Sequence, residues 1–180
     1  MMKRMFLGAV TAIALTTAAG AQQSPLPYGN PVTLAQAKTI VAAAEQSARS
    51  RNFTMAFAIV EPSGELVLFH KMDGTQYGSD LVAREKARTA ARFKRSTKAF
   101  FDSIAGGRNA VLSLPGVVAI EGGTPIVING QIVGAIGVSG GSSEQDGEIA
   151  AAALQYAVCF DFIVKIHVDV RHLPQTPSVT

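Results

Sequence analysis

His70 and Met72 place an imidazole and a thioether two positions apart, at the end of a run that alternates like a strand. The imidazole can ligate a metal ion, whereas a methionine at a strand end reads as packing. Arg84, Arg88 and Arg92 follow at four-residue spacing, so a helix carries them in one row, which Arg95 extends. Lys86, Lys94 and Lys98 enlarge this positive region, and Glu85 is its only acidic interruption. Guanidinium groups so arranged can bind carboxylates or phosphates in paired geometry. A basic row also serves simply as a solvated helix exterior.

The acidic candidates lie further along the chain. Glu121 stands before Gly122 and Gly123, where bare backbone N–H groups can approach a substrate, and Asp146 is the second candidate acid or base. Glu144 and Glu148 share one helix face and complement the positive end of that helix. No compact histidine–carboxylate spacing makes a catalytic metal motif. Cys159 is the only cysteine, so the chain forms no internal disulfide, and its apolar setting reads as a buried helix position. His167 and His172 lie near the tail and read as surface residues.

The elements that must position these groups can be read from periodicity. Thr33 and Gln36 form a capping box for a helix whose packed face holds Leu34, Ala37, Val41, Ala44 and Ala48, widened by Ile40. Residues 53–60 make a strand, and Pro62, Ser63 and Gly64 turn it into a second one. Leu66, Leu68 and His70 take one side of that second strand, and Val67 and Phe69 the other. Ser79 and Asp80 open a second helix through Arg95, with an alanine face of Ala83, Ala87, Ala90 and Ala91. Thr97 caps a short helix that ends by Gly106 and Gly107. Residues 109–116 are irregular up to Pro115, and residues 117–120 form a third strand candidate. Asn129-Gly130 is a hairpin turn between the apolar runs 126–128 and 131–138. Ser142 or Ser143 caps the last helix, whose first turn Gly147 weakens. Residues 162–170 read as a final extended segment.

Composition bounds the rest. With 180 residues, 48% of them hydrophobic, the chain can bury one substantial core. Lys3 and Arg4, an apolar run over 5–15 and small residues up to Ala21 have the order of a secretory signal peptide, residues 1–21. The apolar run is short for a bilayer span, so no stable membrane insertion is expected after cleavage. A flexible lead (22–31), one domain (32–170) and a flexible tail (171–180) follow. The whole chain carries a net charge of +3. Losing Lys3 and Arg4 takes it near neutrality, which gives no electrostatic case for nucleic-acid binding. The expected location is periplasmic or secreted.

Several of these stretches together resemble the GlcG/HbpS-like haem-binding family. They are Thr33-Leu-Ala-Gln-Ala37, His70-Lys-Met-Asp-Gly74, Ala87-Arg-Thr-Ala-Ala-Arg-Phe93, Gly122-Gly-Thr-Pro-Ile126, Asn129-Gly130, Gly134-Ala-Ile-Gly-Val-Ser-Gly140 and Gln145-Asp146. The resemblance covers most of residues 32–157 in order. It implies an α+β fold, a compact antiparallel sheet with flanking helices, assembled as a homo-oligomer. It also implies haem or a related small molecule as ligand. Under that reading His70 is the axial iron donor and Arg84, Arg88 and Arg92 receive the propionates. The chain departs from the family pattern at Ser96 and Gly147, which bears on the starts of two helices. Three functions are then open: haem capture, buffering or transfer; an enzyme or sensor for a small organic acid using Glu121 and Asp146; and a homo-oligomeric assembly protein.

Overall fold

A computed structural model describes residues 25–170 of the chain, with side-chain surroundings as far as Tyr156. The elements run α1 (Leu34–Ser50), β1 (Ala56–Val60), β2 (Leu66–Lys71), α2 (Ser79–Phe93), α3 (Thr97–Ala105), a 3-10 turn (Asn109–Ser113), β3 (Gly123–Ile128), β4 (Gln131–Ser139) and α4 (Ser143–Val170). The four strands form one antiparallel sheet in the order β2-β1-β4-β3, so β2 and β3 are its edges.

All five residues of β1 are buried, because both faces of the sheet are covered. Met55, Phe57 and Ile59 join Ile136 and Val138 in a core shared with Ala37, Ile40, Val41 and Ala44 of α1 and Ile149 and Ala153 of α4. On the opposite face Ala56, Ala58, Val60 and Ala135 meet Ala83, Ala87, Ala90 and Ala91 of α2. The sheet is therefore the middle of three layers, and the α2 side is built from methyl groups. Glycines let that helix come close. A Cβ on Gly137 would collide with the carbonyl of Ala83 and stand 2.6 Å from the amide nitrogen of Ala87, and one on Gly123 would collide with the carbonyl of Lys86.

Local signals produce the ends of these elements. Thr33 and Gln36 close the expected capping box on α1. The β3–β4 turn is the expected two-residue one, with Asn129 and Gly130 at φ 50° and 73°, the positive values a tight hairpin of matched twist requires. Ser142 caps α4: its hydroxyl accepts from the Gln145 amide while the Gln145 side chain accepts from the Ser142 amide.

Tertiary partners override local reading in several places. Residues 117–120 form no strand, because the Thr89 hydroxyl of α2 donates to the Gly116 carbonyl and accepts from the Val118 amide, in the place of a neighbouring strand. Thr97 does not cap α3. It is buried, and its hydroxyl accepts from the Gly123 amide at 2.9 Å, while Ser96 holds the cap position. Helix α2 stops at Phe93, two residues before Arg95, where Lys94 turns left-handed at φ 54°. A one-residue slip in pairing between Ile59 and Val60 puts Leu66 opposite Val60, so Leu66 leaves the row of Leu68 and His70. Leu34 is exposed, outside the packed face of α1.

Residues 109–113 wind into the 3-10 turn. Residues 162–170 continue α4 instead of extending, since no glycine or proline interrupts the run after Gly147. The lead, read as flexible from its composition, is hydrogen-bonded along β4 through Pro27, Gly29 and Val32, and the Tyr28 hydroxyl reaches the Ala91 carbonyl at the end of α2. Residues 1–21 and the tail 171–180 with His172 lie outside the described residues, and the surroundings of Cys159 and His167 are likewise outside them. Among the described residues no helix is long and apolar enough to cross a membrane.

The approach of α2 gives a direct test. The backbone at Gly137 is not left-handed, so an added methyl acts through packing alone. Gly137→Ala is expected to lower unfolding free energy by about 1–3 kcal/mol, read from urea denaturation. A variant as stable as the parent would show that α2 can lift without cost.

Candidate functional site

His70 lies near the end of edge strand β2, opposite Phe57 of β1, and so faces the α1 side of the sheet. The two rings stack with centroids 6.1 Å apart and planes 16° from parallel. Nε2 of His70 stands 3.1 Å from Oε2 of Glu45 on α1. The approach lies off the N–H direction, so Nε2 is closed to solvent beside a carboxylate without a formed hydrogen bond. The side chain as a whole is 39% exposed, so its exposure lies on the rest of the group. Glu45 is held in turn by Arg49 one turn on, whose Nε and Nη2 both donate to Oε1 at 2.9 and 2.6 Å.

The arginine row sits elsewhere. Arg84 lies 4.5 Å over the Phe69 ring and pairs with Asp80 at 2.9 Å. Arg88 donates to the Gly64 carbonyl and to Glu85, and Arg92 donates to the Ser63 carbonyl at 2.7 Å. All three belong to α2, which covers the face opposite His70. The structure brings Arg88 and Arg92 to the β1–β2 turn, where they satisfy backbone carbonyls, leaves Arg84 over Phe69, and brings none of the three to the imidazole. Met72 is buried in the α1-side core, in keeping with packing. A depression of about 440 Å³ follows His70 directly, lined by Lys71, Met72, Asp73, Gly74, Thr75, Gln76 and Tyr77. Lys71 there lies 4.9 Å over the Tyr77 ring.

Asp146 meets a partner that charge counting alone hides, while the Glu121 carboxylate lies against Gly147, the residue that follows Asp146 in the chain. Lys86 of α2 donates to Asp146 Oδ2 at 2.6 Å and to the Val138 carbonyl at 3.1 Å. The two side chains are 1% and 4% exposed. Asp146 Oδ1 accepts from the Gly141 amide. Burial pushes the Asp146 carboxyl above its ordinary value, while the Lys86 ammonium and the Gly141 and Gly140 amides pull it back.

Gly122, at φ 121°, lies on top of the pair: a Cβ there would stand 2.9 Å from Lys86 Nζ and 2.8 Å from Asp146 Cβ. The Glu121 side chain crosses Gly147, where any Cβ would strike its carboxylate. Gly147 is thus a clearance for Glu121 as well as a weak helix former. Lys86 has a signal in the sequence, since it falls three residues after Ala83 and four before Ala90, on the alanine face. Among the described residues no group of three or more His, Cys, Asp or Glu could hold a metal ion.

The haem degrading protein HbpS-like family matches residues 32–155. The chain belongs to this family. Among its relatives, Protein GlcG of Escherichia coli strain K12 is 38% identical over 103 residues, covering 57% of this chain and 77% of that protein. Two solved structures share the fold. The Klebsiella pneumoniae protein ORFY superposes with a TM-score of 0.67 at 29% identity, covering 77% of this chain and 98% of that one. PduOC in complex with haem gives 0.64 at 27% identity, covering 70% and 94%. The compact antiparallel sheet with flanking helices is therefore the family architecture.

Two variants separate structural from ligand-directed charge. Removing one partner of a buried ion pair is strongly destabilising, so Lys86→Met is expected to cost about 3–5 kcal/mol. Adding Asp146→Asn should recover part of that loss, because no unpaired charge is then buried. Equal loss in the single and double variants would refute the pairing. Arg88→Gln together with Arg92→Gln should lower stability by about 1–3 kcal/mol through the lost bonds to the turn, measured by thermal unfolding. A double variant of full stability would leave the row free for a ligand.

Proposed function

We propose that this protein is exported and binds haem for capture, buffering or transfer, with His70 as the axial donor. Family membership and the likeness to the PduOC haem complex support haem as the ligand class. The observation in the chain itself that carries the reading is the setting of His70. A histidine that ligates a metal almost always has its other ring nitrogen set against a carboxylate, a carbonyl or water. His70 has Glu45 at one nitrogen and an accessible remainder of the ring. The residues fit an axial donor.

They do not fit the full set read from the sequence. Arg84, Arg88 and Arg92 lie across the sheet with partners of their own, so propionate contacts fall to cations on the His70 side or to another subunit of a homo-oligomer. Lys71, next to His70 in the chain, borders the depression but faces the α2 side of the sheet, as the arginines do. Haem would bring the iron and any redox chemistry, while the protein orients the donor and covers apolar surface. Export of the mature chain and its assembly are part of the same proposal.

The experiment is a haem titration of the protein lacking residues 1–21, followed by absorption. Binding should saturate at a fixed stoichiometry, and His70→Ala should change the spectrum of the bound form. Binding that rises without saturating would remove haem as the specific ligand. A His70→Ala spectrum identical to the parent's would remove the axial role.

A further inference from the structure

We infer that Glu45 is the positioning residue of His70: it holds the ring proton at Nε2 and leaves the lone pair of Nδ1 as the outward donor. For its ligand the inference rests on the haem reading of His70, and for the orientation of the ring it rests on geometry alone.

A neutral imidazole carries one proton on one of two nitrogens, and the hydrogen bond made by one nitrogen decides which. At His70 the choice is imposed by electrostatics. Nε2 is buried 3.1 Å from Oε2 of Glu45. A bare Nε2 would set its lone pair against a carboxylate oxygen, whereas a protonated Nε2 faces an acceptor. The contact is not a formed hydrogen bond, and rotation of the Glu45 carboxylate toward the ring would supply the partner that a buried polar atom requires. The only nitrogen then left for a ligand is Nδ1.

The carboxylate is itself fixed. Arg49 takes both of its contacts on Oε1, which leaves Oε2 for the histidine. The Phe57 ring stacked on His70 limits ring rotation. The charged groups facing the imidazole from α1 are thus Glu45 and, behind it, Arg49. On β2 the neighbouring Lys71 pairs with Ala56 and faces the α2 side of the sheet. A carboxylate behind a ligating histidine also raises the basicity of the ligand nitrogen.

The test uses protein labelled with 15N and free of haem, at a pH where His70 is neutral. In the parent, the His70 nitrogen shifts should show Nε2 protonated and Nδ1 bare. Glu45→Gln, which keeps the side-chain size, and Glu45→Leu should move both shifts toward a mixture of the two forms. On haem titration Glu45→Gln should bind about 10–100-fold more weakly and show a raised midpoint potential, a change that loss of packing alone does not produce. Unchanged nitrogen shifts in both variants overturn the inference. If His70→Ala keeps the parent haem spectrum, the axial reading falls, and the nitrogen shifts still decide whether Glu45 sets the ring.

Discussion

The buried pair of Lys86 and Asp146 is the constraint on which the arrangement turns. It joins the middle of α2 to the start of α4, and through the Val138 carbonyl and Gly122 it reaches the two strands of the glycine-rich hairpin. A buried ion pair is weak evidence for net stability, because desolvation offsets much of the attraction. Its effect here is geometric. An ammonium at the end of a lysine stem must find its carboxylate, and it does so only if α2 lies on the sheet at one height and one rotation. Gly137 and Gly123 permit that height, since a side chain at either would strike the backbone of α2. The glycines of the hairpin thus clear space for a helix, which is a more specific demand than turn formation.

Fixing α2 in this way separates the charges of the molecule. Arg88 and Arg92 are directed to the β1–β2 turn, where they meet the carbonyls of Gly64 and Ser63, and Arg84 lies over Phe69. The imidazole, one strand away in the same sheet, points to the opposite layer because residues alternate along β2. A sheet about one residue thick then stands between cations and donor. The row that looks like an anion site from its spacing closes a hairpin, and the histidine takes its partners from α1.

What the sequence made legible follows the range of the interaction. The capping box of Thr33 and Gln36, the Asn129-Gly130 turn and the alanine face of α2 are set by neighbours within a few residues, and each forms as read. Residues 117–120 have the composition of a strand but meet the hydroxyl of Thr89, nearly thirty positions back in the chain. Leu66 has the parity of His70 but loses it to a pairing slip that no single strand reveals. By charge Lys86 groups with the surface cations, but its spacing from Ala83 and Ala90 puts it on the packed face of α2, where it is buried. Of the candidate site, His70 at a strand end was legible, while Glu45 was not, since it reaches His70 from another element.

A donor on an edge strand has consequences for the kind of haem protein proposed. Sealed haem pockets use burial to set potential and to control the approach of oxygen. His70 is partly exposed on an edge strand, so on the proposed reading burial contributes less there and the electronic influence of the protein passes mainly through the imidazole. If His70 ligates haem as proposed, the carboxylate behind the ring is then the principal lever on the iron. It also favours exchange: a ligand held by one donor at an edge can leave without displacing a covering helix. Capture and transfer, the roles proposed, ask only for binding and release at such a site, whereas degradation would further need a supply of electrons and a route for oxygen.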